Sequence, residues 1–151
     1  MIRPLTPGER ALANAMFGPA LDLDPVTVRR RKWFPFQPKD VIMAPTGHVH
    51  VHPGSQLWSQ DYAGEPLGLQ ALFLHELTHV WQTQEKGKLY LPLMRHPFCR
   101  YRYTYEEGRP FERYGIEQQA ELVRHAFMAR AGRPVPGAPS LEHLERVLPF
   151  R

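Results

Sequence analysis

Apolar residues recur at helical spacing over two long stretches of the chain. The first covers residues 67–85, contains no proline, and is followed by Gly87, a residue type that commonly ends a helix. The second covers residues 111–130 and is followed by Gly132. We therefore predict two long helices, each with an apolar face that packs into the core.

Shorter helices are predicted near both ends. The Thr-Pro-Gly-Glu segment at residues 6–9 predicts a helix start, with a capping threonine, a proline at the first helical position and a glutamate that completes a capping box. Gly18 and the proline after it end this helix after about three turns. A Pro/Gly-rich connection over residues 132–140 leads to a short terminal helix capped by Ser140.

Strand patterns lie between the predicted helices. Residues 26–30 are rich in β-branched side chains, and residues 41–44 and 48–52 flank a Pro-Thr-Gly turn. The last two stretches predict a β-hairpin in which the glycine supplies the left-handed turn position. A further short strand is predicted at residues 101–105, inside a long loop over residues 88–111.

The alternation in residues 48–52 places His48, His50 and His52 on one face of their strand and two valines on the other. A metal site formed by the three imidazoles is one interpretation. A polar strand face opposite a buried valine face is the more ordinary pattern, and we favour it. We expect this strand to form an edge of the sheet.

These elements predict a single α+β domain over residues 1–151. We expect a small antiparallel sheet of about three strands, packed on two long helices, with short helices at the termini. The hydrophobic content of 42% suits one domain with its own core.

Cysteine usage restricts the chemistry. Cys99 is the only cysteine, which excludes an intramolecular disulfide and a zinc site built from several thiolates.

The first residues show no export signal, and no stretch approaches roughly 18 uninterrupted apolar residues. We expect a protein made in the cytoplasm, with no membrane partner. A secretion machine that recognises folded or fused cargo would leave no such signal.

The net charge of +4 includes two basic runs, one at residues 29–32 and one formed by Arg95, Arg100 and Arg102. A nucleic-acid surface is one interpretation and would predict salt-dependent binding. A solvated basic face beside an acidic pocket is the simpler one, because no nucleic-acid-binding motif accompanies the charge. We therefore expect no nucleic-acid partner.

The segment LFLHELTHVW in the first long helix contains a candidate metal site. His75 and His79 lie one helical turn apart, so their side chains share a face and can bind one ion. Zinc suits imidazole ligands in tetrahedral geometry. Glu76 can reach a water at the open coordination position and take its proton. We predict one zinc ion at this helix.

A catalytic zinc normally has three protein ligands. The extended HExxHxxGxxH pattern does not supply the third, because Gln82 and Glu85 stand where it requires glycine and histidine. Glu117 and Glu121 lie one turn apart on the second long helix. We predict Glu117 as the ligand and Glu121 as the carboxylate that hydrogen-bonds a ligand histidine. The alternatives are Glu121 as the ligand, or two exposed carboxylates without a metal.

HExxH followed 38 residues later by a helix bearing ExxxE resembles the gluzincin type of zincin metallopeptidases. The resemblance implies a minimal zincin-like domain. It also implies that His75, His79 and Glu117 are the zinc ligands, that Glu76 is the general base, and that Glu121 is the supporting carboxylate.

A longer similarity covers nearly all of the chain. It is carried by the segments WFPFQPKDVIMAPTGHVHVHP, LFLHELTHVWQ, RHPFCRYRY and RPFERYGIEQQAELVRHAF. They resemble the small bacterial Vgr-related proteins, associated by name with type VI secretion and Rhs elements, and the HELTH-type peptidase-like domains of bacterial toxins. The resemblance implies a peptide or protein substrate and a protein partner in a secretion apparatus.

Larger gluzincins use a tyrosine or histidine from a second subdomain to steady the oxyanion, and 151 residues leave little room for one. The candidates for this role here are His96, Tyr103 and His125, together with Tyr101 and Tyr105. Their spacing does not single out one of them.

Two functions stay open. The first is a zinc-dependent metallopeptidase that hydrolyses a peptide added along the sheet edge. The second is a catalytically idle metal-binding adaptor or cargo module of a type VI secretion or Rhs system, with residues 88–114 as its docking surface. An open fourth coordination position favours the first function. Two histidines and one carboxylate would also accept other divalent ions, including iron.

Overall fold

The computed structural model describes residues 1–95 and 99–150. The helices and strands, in chain order, are β1 (Ile2–Pro4), α1 (Pro7–Phe17), β2 (Thr27–Arg29), β3 (Val49–His50), α2 (Leu67–Lys86), α3 (Tyr90–Met94), α4 (Ile116–Arg130) and α5 (Leu141–Val147). Short 3-10 helices lie at Gly18–Ala20, Tyr62–Gly64 and Phe111–Arg113. The predicted α+β class with a small three-stranded sheet is confirmed.

α1 begins where the sequence pattern predicts. Thr6 Oγ1 accepts a hydrogen bond from the Glu9 N–H at 3.0 Å, and Glu9 Oε1 accepts one from the Thr6 N–H at 3.0 Å. This capping box satisfies backbone donors that a helix start leaves open. Gly18, with φ of 53°, ends the helix as predicted.

The sheet has the strand order β1-β2-β3. β1 and β2 pair antiparallel, with Arg3 opposite Val28, whereas β2 and β3 pair in parallel, with Arg29 opposite His50. The sheet is therefore mixed and not purely antiparallel, because the chain crosses over between β2 and β3 instead of turning back directly. β1 was not predicted, since three residues are too few to show an alternating pattern.

The predicted β-hairpin is reduced to one antiparallel bridge between Met43 and His50. The Met43 N–H donates to His50 O at 3.0 Å, and the His50 N–H donates to Met43 O at 2.7 Å. Residues 41–45, here called the edge segment, therefore lie along the side of β3 that β2 leaves free. β3 is the last strand of the sheet, as expected, but the edge segment covers its outer side.

α2 follows the predicted range and is the central helix of the core. Eleven of its 20 residues are buried, including the apolar Phe73 and Leu77 and the polar His75, Glu76 and His79. A helix buried on most of its circumference fits a central position between layers. α4 packs against it, and His75, His79 and Gln82 contact residues of α4.

α4 begins at Ile116 and not at residue 111, because Phe111–Arg113 forms a 3-10 turn and Tyr114 is extended. Gln118 Oε1 accepts a hydrogen bond from the Gly115 N–H at 2.8 Å and so supports the helix start. At the C-terminal end, α5 follows the predicted cap at Ser140.

The region predicted as a long loop contains the unpredicted helix α3. The strand predicted at residues 101–105 does not form. Its backbone and side chains are held by helices instead: Arg102 O accepts a hydrogen bond from Gln118 Nε2 at 2.6 Å, and the Tyr105 ring stacks on His143. Among the described residues, no helix is long and apolar enough to cross a membrane.

Candidate metal centre

His75 and His79 of α2 meet Glu117 of α4 where the two helices pack. His75 Nε2 lies 3.2 Å and His79 Nε2 lies 2.9 Å from the same carboxylate oxygen, Glu117 Oε1. All three side chains are buried, and their potential ligand atoms lie within 4.8 Å of one another. Two imidazole nitrogens and one carboxylate oxygen form a donor set that accepts a divalent metal ion.

The spacing of these atoms suits a small tetrahedral ion. Ligand atoms that lie about 2.0–2.1 Å from a tetrahedral zinc are roughly 3.3 Å apart. The separations of 3.2 and 2.9 Å between the histidine nitrogens and Glu117 Oε1 are close to that value. The structure thus brings together the three side chains that the sequence pattern predicts as ligands, two from α2 and one from α4.

Glu121 contacts the other nitrogen of His75. His75 Nδ1–H donates to Glu121 Oε2 at 3.0 Å, and Arg124 Nε donates to the same oxygen at 2.7 Å. Because a carboxylate only accepts hydrogen bonds, this contact puts the proton on Nδ1 and leaves Nε2 facing Glu117. The geometry fits the predicted role of a supporting carboxylate.

Gln82 has the corresponding position beside His79. Its Oε1 accepts a hydrogen bond from His79 Nδ1–H at 2.8 Å. Its Nε2 donates to Ile116 O at 3.0 Å and to Gln119 Oε1 at 2.9 Å, and these two contacts fix the orientation of the amide. From the sequence, we interpreted Gln82 only as a mismatch to the extended HExxHxxGxxH motif. Its spacing of three residues from His79 on one helix was the available signal.

Hydrogen bonds set the protonation of the centre. Burial alone would raise the pKa of Glu117, but hydrogen bonds from His75 and His79 outweigh burial and lower it. Burial alone would lower the pKa of His75, but its contacts with Glu117 and Glu121 raise it to about 9. A proton and a metal ion compete for ligand nitrogens of this kind.

Glu76 lies in a narrow cleft, here called the central cleft, of about 40 Å³. The cleft is lined by the edge segment and by Glu76, His79, Leu91, Arg95, Tyr101 and Glu117. Burial raises the pKa of Glu76, opposed by the charges of the neighbouring imidazoles. The space is large enough for a water molecule, and a carboxylate beside such a space can accept and return a proton.

Arg95, the residue directly after α3, contacts the second oxygen of Glu117. Its Nε donates to Glu117 Oε2 at 2.7 Å, and its Nη2 donates to Tyr101 OH at 3.3 Å. The Tyr101 ring stacks on His75 with centroids 6.0 Å apart. The sequence assigned Arg95 only to a basic run, because residues on an irregular segment follow no period that could place them at a site.

The other predicted oxyanion donors lie elsewhere. Tyr103 OH and His125 Nδ1 lie 2.5 Å apart, in a separate pocket beside Glu121. Tyr105 lines that pocket too. Within the described part of the chain, Tyr101 is thus the one predicted donor that lines the central cleft. His96 lies outside the described residues.

The histidines of residues 48–52 do not group into a metal site within the ranges that the structure describes. His48 Nδ1 lies 2.8 Å from Thr27 Oγ1, and His52 Nδ1 accepts a hydrogen bond from a backbone N–H at 2.9 Å. His50 is buried, and burial together with nearby arginine charge lowers its pKa to about 4. Val49 and Val51 are buried as the ordinary interpretation expects, but His50 on the opposite face is buried as well, so that face is not a solvated polar face along its whole length.

No protein-family model matches the chain. The type VI secretion system spike protein VgrG2b of Pseudomonas aeruginosa is 38% identical to it over 136 residues. The matched region covers 85% of this chain and 13% of that protein, so the chain spans a small part of its relative's length.

A solved structure is similar as well. The effector domain of Pseudomonas aeruginosa VgrG2b matches with a TM-score of 0.73 at 35% identity, over 85% of this chain and 75% of that chain. Most of each chain takes part in the match, so the similarity concerns the whole fold and not one motif.

Proposed function

Because the chain belongs to the family of the VgrG2b effector domain, we propose that it is an effector module of a type VI secretion system that hydrolyses peptide bonds with a zinc ion. The observation that carries the proposal is the convergence of His75 Nε2 and His79 Nε2 on one oxygen of Glu117, beside the cleft that holds Glu76. Two histidines and one glutamate are a ligand set that catalytic zinc sites use, and the proposal takes the buried Glu76 as the base beside them.

Each side chain of the centre has a role in this proposal. Zinc held by His75, His79 and Glu117 would supply a Lewis acid that polarises the peptide carbonyl and acidifies a water. Glu76 takes the proton of the attacking water and returns it to the leaving amine. Arg95 holds the oxygen of Glu117 that faces away from the imidazoles.

Two further side chains orient the ligands. Glu121 and Gln82 accept the Nδ1 protons of His75 and His79, so both Nε2 atoms face the centre. The substrate's backbone would lie along the edge segment, which lines the central cleft. The secretion relatives support delivery by a type VI apparatus, whose components would be the protein partners.

Metal content and cleavage test the proposal together. Elemental mass spectrometry of native protein is expected to find one zinc per chain in the wild type and in Glu76→Gln, and none in His79→Ala. Cleavage of an unfolded protein substrate is expected from the wild type and should fall at least about 100-fold in Glu76→Gln. Protein that stays metal-free after zinc is supplied would overturn the proposal.

A second function is a metal-binding secretion module without catalysis. The names of the similar proteins favour it directly, because they describe a spike protein and an effector domain and name no peptidase. Zinc bound equally by the wild type and Glu76→Gln, with no cleavage by either protein, would support this function over hydrolysis.

A further inference from the structure

A largely apolar pocket of about 300 Å³ lies beside the central cleft. Its apolar and aromatic wall residues are Trp33, Met43, Pro45, Leu91, Pro92 and Tyr101. Four of these, together with Arg95, also line the central cleft, so the two spaces adjoin. The volume is at the lower end of the range for ligand pockets, roughly 300–1,000 Å³, and therefore suits one large side chain better than a whole ligand.

The edge segment connects this pocket with the edge of the sheet, because it lines the pocket and is also paired with β3. Met43 and Pro45 line the pocket, whereas the side chains of Ile42 and Ala44 belong to the core. This is the alternation of an extended backbone. The N–H and C=O of Met43 are bonded to His50, so the backbone groups of Ile42 and Ala44 point away from β3.

A peptide strand that paired with those outward backbone groups would present one side chain to the pocket. Residues directly opposite each other in a β-ladder have their side chains on the same face of the sheet. The peptide residue opposite Met43 would therefore extend its side chain between Trp33 and Leu91. The same strand would pass the central cleft, because the edge segment lines both spaces.

The wall residues match an apolar side chain. Trp33 is 39% exposed and Tyr101 is 46% exposed, so both rings have uncovered apolar surface that a substrate could bury. The cation at the border, Arg95, is engaged by the buried carboxylate of Glu117. An acidic substrate side chain would have to compete with that ion pair.

We propose, on the basis of the peptidase function above, that this pocket selects substrates with a large aromatic or aliphatic side chain next to the cleaved bond. Trp33 and Met43 are the residues that determine this specificity. Glycine or a small polar residue at the same substrate position leaves the pocket unfilled and is cleaved more slowly.

Cleavage-site profiling tests the proposal. Zinc-loaded protein is incubated with a library of proteome-derived peptides, and the cleaved bonds are identified by mass spectrometry. Trp33→Ala removes one wall, and Phe36→Ala is the matched control, because Phe36 lies on the same loop, is 85% exposed and is not among the wall residues. Large apolar residues should dominate one position in the wild type and in Phe36→Ala. Their advantage over glycine should fall at least about tenfold in Trp33→Ala.

The outcomes separate the pocket from the peptidase function. Glu76-dependent cleavage without an apolar preference, or with a preference that Trp33→Ala leaves unchanged, overturns the pocket assignment and leaves the peptidase function in place. Absence of any Glu76-dependent cleavage overturns the peptidase function.

A binding measurement decides the pocket without activity. Zinc-loaded Glu76→Gln is titrated with the hydroxamates of phenylalanine and of glycine by calorimetry. The phenylalanine derivative should bind at least about tenfold more tightly, and adding Trp33→Ala should remove this advantage. Equal affinity of the two hydroxamates would contradict the proposed specificity.

Discussion

Glu9 and Glu117 are both fully buried glutamates, 0% and 1% exposed, yet their partners differ in kind. Glu9 accepts two hydrogen bonds from the guanidinium of Arg3, at 2.8 and 2.9 Å. It also accepts hydrogen bonds from the backbone N–H groups of Thr6, at 3.0 Å, and Tyr62, at 2.8 Å. Guanidinium and amide N–H groups can only donate hydrogen bonds. The carboxylate of Glu9 therefore joins β1, α1 and the turn at Tyr62 and has a structural role.

Glu117 has two imidazoles and one guanidinium as partners. Unlike the partners of Glu9, imidazole nitrogens can also bind a metal ion. The two glutamates are buried to the same extent, so burial does not separate a structural carboxylate from a candidate ligand. The chemistry of the partner groups does.

The largest expected difference concerns metal binding by Glu117→Gln. A neutral amide is a poor zinc ligand, so this variant should bind no detectable zinc at concentrations that saturate the wild type. Elemental mass spectrometry gives the stoichiometry, and circular dichroism checks that the variant is folded. Full zinc occupancy in a folded Glu117→Gln would show that Glu117 is no more a ligand than Glu9 is.

Glu9→Gln should have the opposite profile. Removal of this carboxylate charge leaves the partly buried Arg3 without its ionic partner and should cost about 3 kcal/mol of unfolding free energy in urea denaturation. Zinc stoichiometry should not change. The same substitution at the exposed Glu112 is the matched control and should stay within about 0.5 kcal/mol of the wild type. Zinc loss in Glu9→Gln without loss of stability would contradict the comparison.

The contacts of Glu9 and those of the candidate metal centre could be predicted from the sequence to different extents. The contact of Glu9 with Thr6 follows from local capping geometry and was predictable. Its contacts with Arg3 and Tyr62 depend on how β1 and a distant turn meet α1, and no local pattern encodes them. The capping box was therefore visible, but the burial of Glu9 was not.

At the candidate metal centre, helix periodicity placed His75 and His79 on one face and Glu117 on a second helix. The helices themselves were predictable for the same reason, with an error at the start of α4 where a 3-10 turn intervenes. Arg95 and Tyr101 could not be assigned to the centre, because they come from irregular segments whose position is set by tertiary packing alone. The position of the edge segment could not be predicted for the same reason, because its regular pairing in the described residues is the single bridge between Met43 and His50.

A smaller effect is expected at the outer partners of the two histidines. Glu121→Ala and Gln82→Ala should each lower zinc affinity by about 10–100-fold, measured by competition with a chelator. Glu121→Ala should have the larger effect, because a charged acceptor forms the stronger hydrogen bond. Gln84→Ala on the same helix is the control and should bind zinc like the wild type, since Gln84 contacts Asp22 and neither histidine. Unchanged affinity in both variants would show that packing alone orients the ligands.

The smallest effect concerns His50, a buried titratable side chain outside both clusters. It is 5% exposed. Burial, with the charges of Arg29 and His48, lowers its pKa from 6.5 to about 4. The unfolded chain therefore takes up a proton as the pH falls through 6.5, whereas the folded protein does so only near pH 4. Stability linked to His50 is present above pH 6.5 and is lost progressively as the pH falls towards 4.

Between pH 7 and pH 5.5 this loss amounts to about 1 kcal/mol. His50→Gln removes the titrating group and keeps a side chain of similar size. Urea denaturation at both pH values should therefore show that the wild type loses about 1 kcal/mol more than the variant. Titrating groups that do not interact with His50 contribute equally to both proteins and cancel in this difference. Equal losses would mean that His50 takes up its proton over the same pH range in the folded protein as in the unfolded chain.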